Sequence, residues 1–177
     1  TASVSQNKTV ALSWEKPGMK RQTEAILRYD NGTFGTGVGL TDGGYFFAGI
    51  KWGLKDLNEY RGMQLDKVDV YVNDICMALS LRIYKDGKIA TNQTLDLGSV
   101  VYGQFNTFEL ESPVTIERGH EYMVCVLVIH DAGVLPIGMD EGTAVEGVSN
   151  LISTNGVDWT TCRRMGCGTG NLNIAAH

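Results

Sequence analysis

This sequence predicts an all-β fold, an antiparallel jelly-roll-like sandwich with one short helix. Three observations carry that reading. Short apolar runs alternate with polar residues at a period of two, the period of a half-buried strand. Glycine is frequent, at 22 residues, and proline scarce, at 3, which suits many tight turns between strands. Only one stretch shows helical spacing, and no strand–helix–strand rhythm appears, so a doubly wound parallel sheet is excluded.

The elements follow in order. Val10, Leu12 and Trp14 alternate with Ala11 and Ser13, and Pro17-Gly18 ends that strand. Ala25–Tyr29 is a second strand, closed by Asp30-Asn31-Gly32. A glycine-rich connection from Gly32 to Gly44 leads into the bulky run Tyr45–Trp52. Leu54, Leu57 and Tyr60 are three residues apart and predict the main helix, stopped by Gly62. Val68, Val70 and Val72, then Leu79, Leu81 and Ile83, mark two strands with one buried face each. Asp86-Gly87 after the second is a strong hairpin signal.

Phe108 and Leu110, then Val114 and Ile116, predict strands broken at Pro113. Arg118-Gly119 turns the chain into Tyr122–Ile129, which is apolar on both faces and predicts a central strand. Val134–Met139 is a further strand. Asn155-Gly156 makes a turn before Trp159, and Leu172 and Ile174 alternate at the end.

Composition excludes some functions. With a net charge of −5 and pI near 5.1, the chain lacks the basic stripe a nucleic-acid binder needs. No run approaches the roughly 18 apolar residues of a membrane-spanning helix. No secretory leader opens the chain, so Thr1 is read as the start of an excised or processed piece. Cys76 and Cys125 lie in apolar runs and are expected in the core, unpaired. Cys162 and Cys167 flank Arg163-Arg164-Met165-Gly166, a loop-like insert, and are expected to form a local disulfide or to lie close enough for one. A zinc site there lacks half its ligands.

Several motifs invite chemistry. GTFGTGVGL resembles a phosphate loop, but a strand rather than a helix follows it, and no Gly-Lys-Ser/Thr is present. His120, His130 and His177 are the candidate bases. His177, as the last residue, is expected to fray, and His130-Asp131 reads as a strand end rather than half a triad. Glu109 and Glu111 share one face of a strand, the placement a pair of glycosidase carboxylates needs and equally the wet face of an ordinary amphipathic strand. Asp30, Asp42 and Asp140 are loop carboxylates of the kind calcium takes, and equally of the kind that builds a glycine turn. The sequons at Asn7, Asn31 and Asn92 read as chance occurrences.

Residues distributed along most of the chain resemble one family. They are Leu12-Ser13-Trp14 with Pro17, Arg28-Tyr29-Asp30-Asn31-Gly32-Thr33, Gly37-Val38-Gly39-Leu40, Asp56-Leu57 with Tyr60-Arg61-Gly62, and Leu65-Asp66-Lys67-Val68. Phe105-Asn106-Thr107, Leu110 to Ile116, Gly138-Met139-Asp140-Glu141-Gly142, and Gly156 with Trp159 complete the series. The family is a jelly-roll β-sandwich module of secreted and cell-surface, adhesin-like proteins of Bacteroides- and Porphyromonas-type bacteria, often beside fibronectin type III-like repeats. Met139 departs from it, standing where a cysteine or small residue is expected, and Cys162–Cys167 is an insertion of this chain's own.

The resemblance implies residues 1–20 as the edge of a fibronectin type III-like repeat or a linker, and 21–177 as the module. It also implies a monomeric, extracellular unit of a multidomain chain, and the absence of an assembled catalytic signature makes that unit non-catalytic. The partner expected is a glycan or a surface protein, met by Tyr29, Asp30, Asp140 and Trp159 on loops or a sheet face. A structural spacer and a carbohydrate-active enzyme are the alternatives.

Overall fold

The computed structural model describes residues 24–177. The strand expected at Val10–Trp14, the 1–20 linker and Asn7 lie outside the described residues.

Among the described residues, twelve strands form two six-stranded antiparallel sheets. The first contains β1 (Leu27–Arg28), β2 (Thr36–Val38), β4 (Gln64–Val72), β7 (Gln104–Thr115), β9 (Ile137–Met139) and β12 (Ile174–Ala176). Here β7 runs along one side of β4, and β12 and β9 share the other. The second runs β11 (Thr160–Thr161), β10 (Leu151–Ser153), β3 (Gly44–Trp52), β8 (Tyr122–His130), β5 (Ala78–Lys85), β6 (Lys88–Thr94). The order β1-β12-β4-β7 facing β3-β8-β5-β6 is the jelly-roll arrangement. The remaining strands belong to two long connections, β1 to β3 and β8 to β12.

The period-two pattern explains the core. Val68, Val70 and Val72 of β4 face Leu79, Leu81 and Ile83 of β5 and Val124, Val126 and Val128 of β8, all fully buried in one cluster. Each such side chain removed from water contributes about 1.5–3 kcal/mol before entropy is counted. β8 lies between β3 and β5, as its two-faced apolar run requires. Asp86 and Gly87 close the β5–β6 hairpin with φ of 49° and 72°, the mirror-image turn whose twist matches that of the strands.

The structure corrects the sequence reading at several elements. Leu54–Tyr60 is not the main helix. Only Asn58–Tyr60 forms a 3-10 turn, with Leu57 buried and Leu54 exposed. A spacing of three is the 3-10 period, and so short a segment cannot nucleate an α-helix. The α-helix is instead α1, Cys162–Met165, inside the stretch expected to be a loop. Thr161 caps its start by accepting from the Arg164 N–H, and Gly166, left-handed at φ 74°, ends it.

Pro113 does not split β7. The strand instead slips register against β4 between Leu65 and Lys67, and the proline sits in that irregularity on a sheet edge, where its missing N–H costs nothing. Val134–Met139 shortens to Ile137–Met139. His177 does not fray. Its N–H donates to the Lys67 carbonyl, and its Nε2 lies 2.8 Å from Asp69 Oδ2.

Gly87→Ala is expected to cost about 1–2 kcal/mol, because an L side chain is strained at this positive φ. A lower urea midpoint with an unchanged β-type circular dichroism spectrum checks it.

Candidate functional site

The four residues expected to bind ligand fall into three environments. Asp30 and Asp140 sit together, where the two long connections cross. Asp30 lies two residues beyond the end of β1, and Asp140 directly follows β9. Both are buried, at 5% and 2% exposure.

Arg28 clamps Asp30, Nε to Oδ1 at 3.0 Å and Nη2 to Oδ2 at 2.7 Å. The Gly32 N–H and Asn173 Nδ2 donate to the same Oδ2 at 3.1 and 2.8 Å. Asp140 accepts from the backbone N–H groups of Asn31, Gly142 and Asn171, at 3.1, 3.0 and 2.8 Å, and from the Asn171 amide. Ser149 in turn donates to Asn171 Oδ1 at 2.7 Å. Asn173 Nδ2 also reaches the Thr33 carbonyl.

These contacts correct the expectation that Asp30 and Asp140 meet a ligand. Their lone pairs are already taken by protein donors, which is how buried carboxylates avoid their desolvation cost. The same donors make the pocket unfit for calcium, which needs oxygen acceptors around it, not N–H groups and a guanidinium. Asp42 is exposed on a separate turn, and no group of three metal-ligating side chains converges among the described residues.

The chain comes so close here that Gly170 must be glycine. A Cβ there would overlap the Asp140 carbonyl and approach Met139 Cγ to 2.9 Å. Gly168 likewise leaves room for the Met139 sulfur. The Met139 side chain is therefore accommodated by two nearby glycines.

Tyr29 is an internal brace rather than a ligand contact. Its hydroxyl donates to the Lys51 carbonyl at 2.9 Å, and its ring stacks on Trp52 at 6.1 Å. Burial, with a smaller contribution from Asp56, pushes its phenol up to about 12.

Trp159 stands apart from these three. It lies on the outer face of the second sheet, over a smaller apolar cluster of Phe47, Tyr84, Met123, Cys125 and Leu151. Its ring meets Phe47 at 6.3 Å and Tyr84 at 6.2 Å, both edge-on. Arg82 covers the Phe47 ring from 4.9 Å.

Beside Trp159 opens a cleft of about 230 Å³, lined among others by Lys51, Tyr84, Glu121, Met123 and Val157. Lys51 Nζ and Glu121 Oε2 are 3.4 Å apart there. The turn before Trp159 is set by its own side chains. Asn155 Oδ1 accepts from the N–H groups of Val157 and Asp158, and Ser153 Oγ accepts from Gly156 N–H. Gly156, at φ 74°, packs on Phe47, where a Cβ would come within 3.0 Å of the ring.

No family model, curated protein or solved structure matches this chain. What its sites do rests on their own geometry.

Sequence reasoning missed Lys51, Tyr84, Glu121 and Met123. The available signal was the outward half of the run Tyr122–Ile129, apolar where a solvent-facing strand is usually polar.

The histidines are also placed. His130 is fully buried, with Nδ1 2.9 Å from the Asp131 carbonyl and Nε2 accepting from the Leu40 N–H, so neither nitrogen is free to act as a base. His120 pairs with Asp86 at the hairpin, and together with the Glu121 N–H it holds the Asp86 carboxyl below its usual range.

Asp140→Ala is expected to lower stability by about 3 kcal/mol or more, because several buried donors lose their acceptor. Asp42→Ala should stay within about 0.5 kcal/mol. Urea unfolding of both, with and without chelator, measures the contrast, and no chelator effect is expected. Tyr29 supplies a pH prediction. Its raised folded-state pKa means that its stabilisation is complete below about pH 10, the unfolded value, and is lost as pH climbs through about 12. The latest-titrating tyrosinate absorbance should disappear in Tyr29→Phe.

Proposed function

We propose that this chain is a non-catalytic, extracellular binding module of a larger bacterial surface or secreted protein, and that it takes a glycan in the cleft beside Trp159. The observation that carries the reading is a half-buried indole held on a pre-set turn, next to a charged pair of opposite sign, on a rigid sheet. A pyranose offers an apolar C–H face to an aromatic ring and hydroxyls to flanking polar groups. Trp159 supplies the first contact, and Lys51 and Glu121 the second.

The fixed turn means that little ordering entropy opposes binding. The cleft is small, so single-site affinity falls in the micromolar to millimolar range, and tethered copies add avidity. The family resemblance supports the class of module and its extracellular setting, not the site.

The spacer reading has one observation in its favour. The most elaborate polar network turns the buried carboxylates of Asp30 and Asp140 toward donors of the protein itself, with Arg28 and Asn31 reaching its exposed rim. Glu109 and Glu111, the carboxylates of an enzyme reading, are exposed on β7 beside its register slip. Their backbones are clipped to β6, the Glu109 carbonyl accepting from Gln93 and the Glu111 N–H donating to it. This part of β7 thus joins the two sheets rather than lining a cleft with Trp159.

A multivalent preparation of the module, screened on glycan and extracellular-matrix arrays, tests the proposal. Trp159→Ala and Lys51→Ala are expected to weaken glycan binding at least tenfold. Folded protein that binds nothing leaves the spacer reading. Binding unchanged in both variants moves the site elsewhere, and polysaccharide turnover lost in Glu109→Gln or Glu111→Gln overturns the non-enzymatic assignment.

A further inference from the structure

The turn that ends α1 brings two thiols together. Gly166 donates to the Arg163 carbonyl and Cys167 donates its N–H to the Cys162 carbonyl at 2.9 Å, with Gly166 left-handed between them. This paired hydrogen-bond pattern characteristically sets the side chain of the residue after the glycine against that of the residue five positions earlier. Here both are cysteines. The Cys167 sulfur lies 3.3 Å from the Cys162 carbonyl oxygen, and both thiols are free.

Their surroundings differ. Cys162 is wholly buried, while Cys167 is partly exposed and lines a cleft of about 370 Å³ between β2 and α1, together with Gly37, Gly39, Leu135 and Met165. Cys76 and Cys125 have no such neighbour, and burial raises both thiols, Cys125 to about 12.

We propose that Cys162 and Cys167 form a dithiol site for exchange with low-molecular-weight disulfides, with Cys167 reacting first and Cys162 resolving. The cleft that Cys167 lines has room for a small disulfide. The neighbouring Cys162 thiol holds Cys167 below the usual thiol range, and that neighbour together with burial holds the Cys162 proton more tightly.

In the first step, the Cys167 thiolate attacks one sulfur of the small disulfide. The external S–S bond breaks, and the leaving thiolate takes up the proton that Cys167 gave to solvent. In the second, Cys162 loses its proton and attacks the Cys167 sulfur, and the second small thiol leaves with that proton. Two protein thiols become one disulfide, and the external disulfide becomes two thiols. Bond formation ties the two ends of the α1 turn that walls the cleft.

The test uses the reduced chain with glutathione disulfide, followed by mass spectrometry and by alkylation of the remaining thiols. Cys167 in the wild-type protein should react at least tenfold faster than Cys76 or Cys125, and the product should be an internal Cys162–Cys167 bond that dithiothreitol reverses. Cys162→Ser should stop at a lasting glutathione adduct on Cys167. Cys167→Ser should leave Cys162 unmodified. Equal rates at all cysteines, or a wild-type product that stays a glutathione adduct without closing, overturns the proposal. The wild-type rates decide the matter even where a serine variant fails to fold.

Discussion

Two buried carboxylates hold this molecule's irregular half in place. The eight jelly-roll strands close a core by alternation alone, but the long connections from β1 to β3 and from β8 to β12 have no such pattern to organise them. Asp30 and Asp140 supply the organisation. Asp140 gathers backbone N–H groups from Asn31, Gly142 and Asn171, which belong to both connections. Asp30 gathers Arg28, Gly32 and Asn173, joining the end of β1 to the start of β12. The β2–β9 pairing and the close passage at Gly170 are built directly onto this junction, through Met139 and Asp140. A charged group is suited to the role because one carboxylate accepts several short hydrogen bonds at once, each stronger than its neutral equivalent.

The same connection that is anchored by Asp140 also shapes both candidate sites. Between Asp140 and Asn171 the chain runs through β10, the Asn155–Asp158 turn, β11 and α1. β10 pairs with β3, which places the turn, and hence Trp159, over the outer face of the second sheet. The following α1 turn then folds back beside β2 and presents Cys167. The cleft beside Trp159 and the thiol pair are thus built on one excursion, clamped at both ends by the carboxylate network and stiffened by side-chain hydrogen bonds from Asn155, Ser153 and Thr161. Such a clamped excursion combines the chemical variety of a loop with the positional accuracy of the scaffold.

What the sequence determined by itself was everything with a period or a local signature. The alternation at Val68–Val72 and Leu79–Ile83 told which faces are buried, because a strand turns its side chains over at every residue. Tyr122–Ile129 declared itself a central strand, and Asp86-Gly87 declared its turn, because that backbone shape admits few residues. The α1 turn was equally readable in principle, with Thr161 before it and Gly166 after it, but its arginines and glycines looked like a loop. Only the tertiary structure decided the roles of the polar residues. Asp30 and Asp140 have the local look of exposed turn aspartates. Their partners Asn173 and Asn171 lie more than a hundred and about thirty residues away, and nothing in a run of sequence reveals which distant donors will surround a carboxylate. Trp159 likewise became a surface feature, and Tyr29 an internal brace, only when the sheets were stacked. Burial belongs to the whole fold, whereas alternation and turn shape belong to a few adjacent residues.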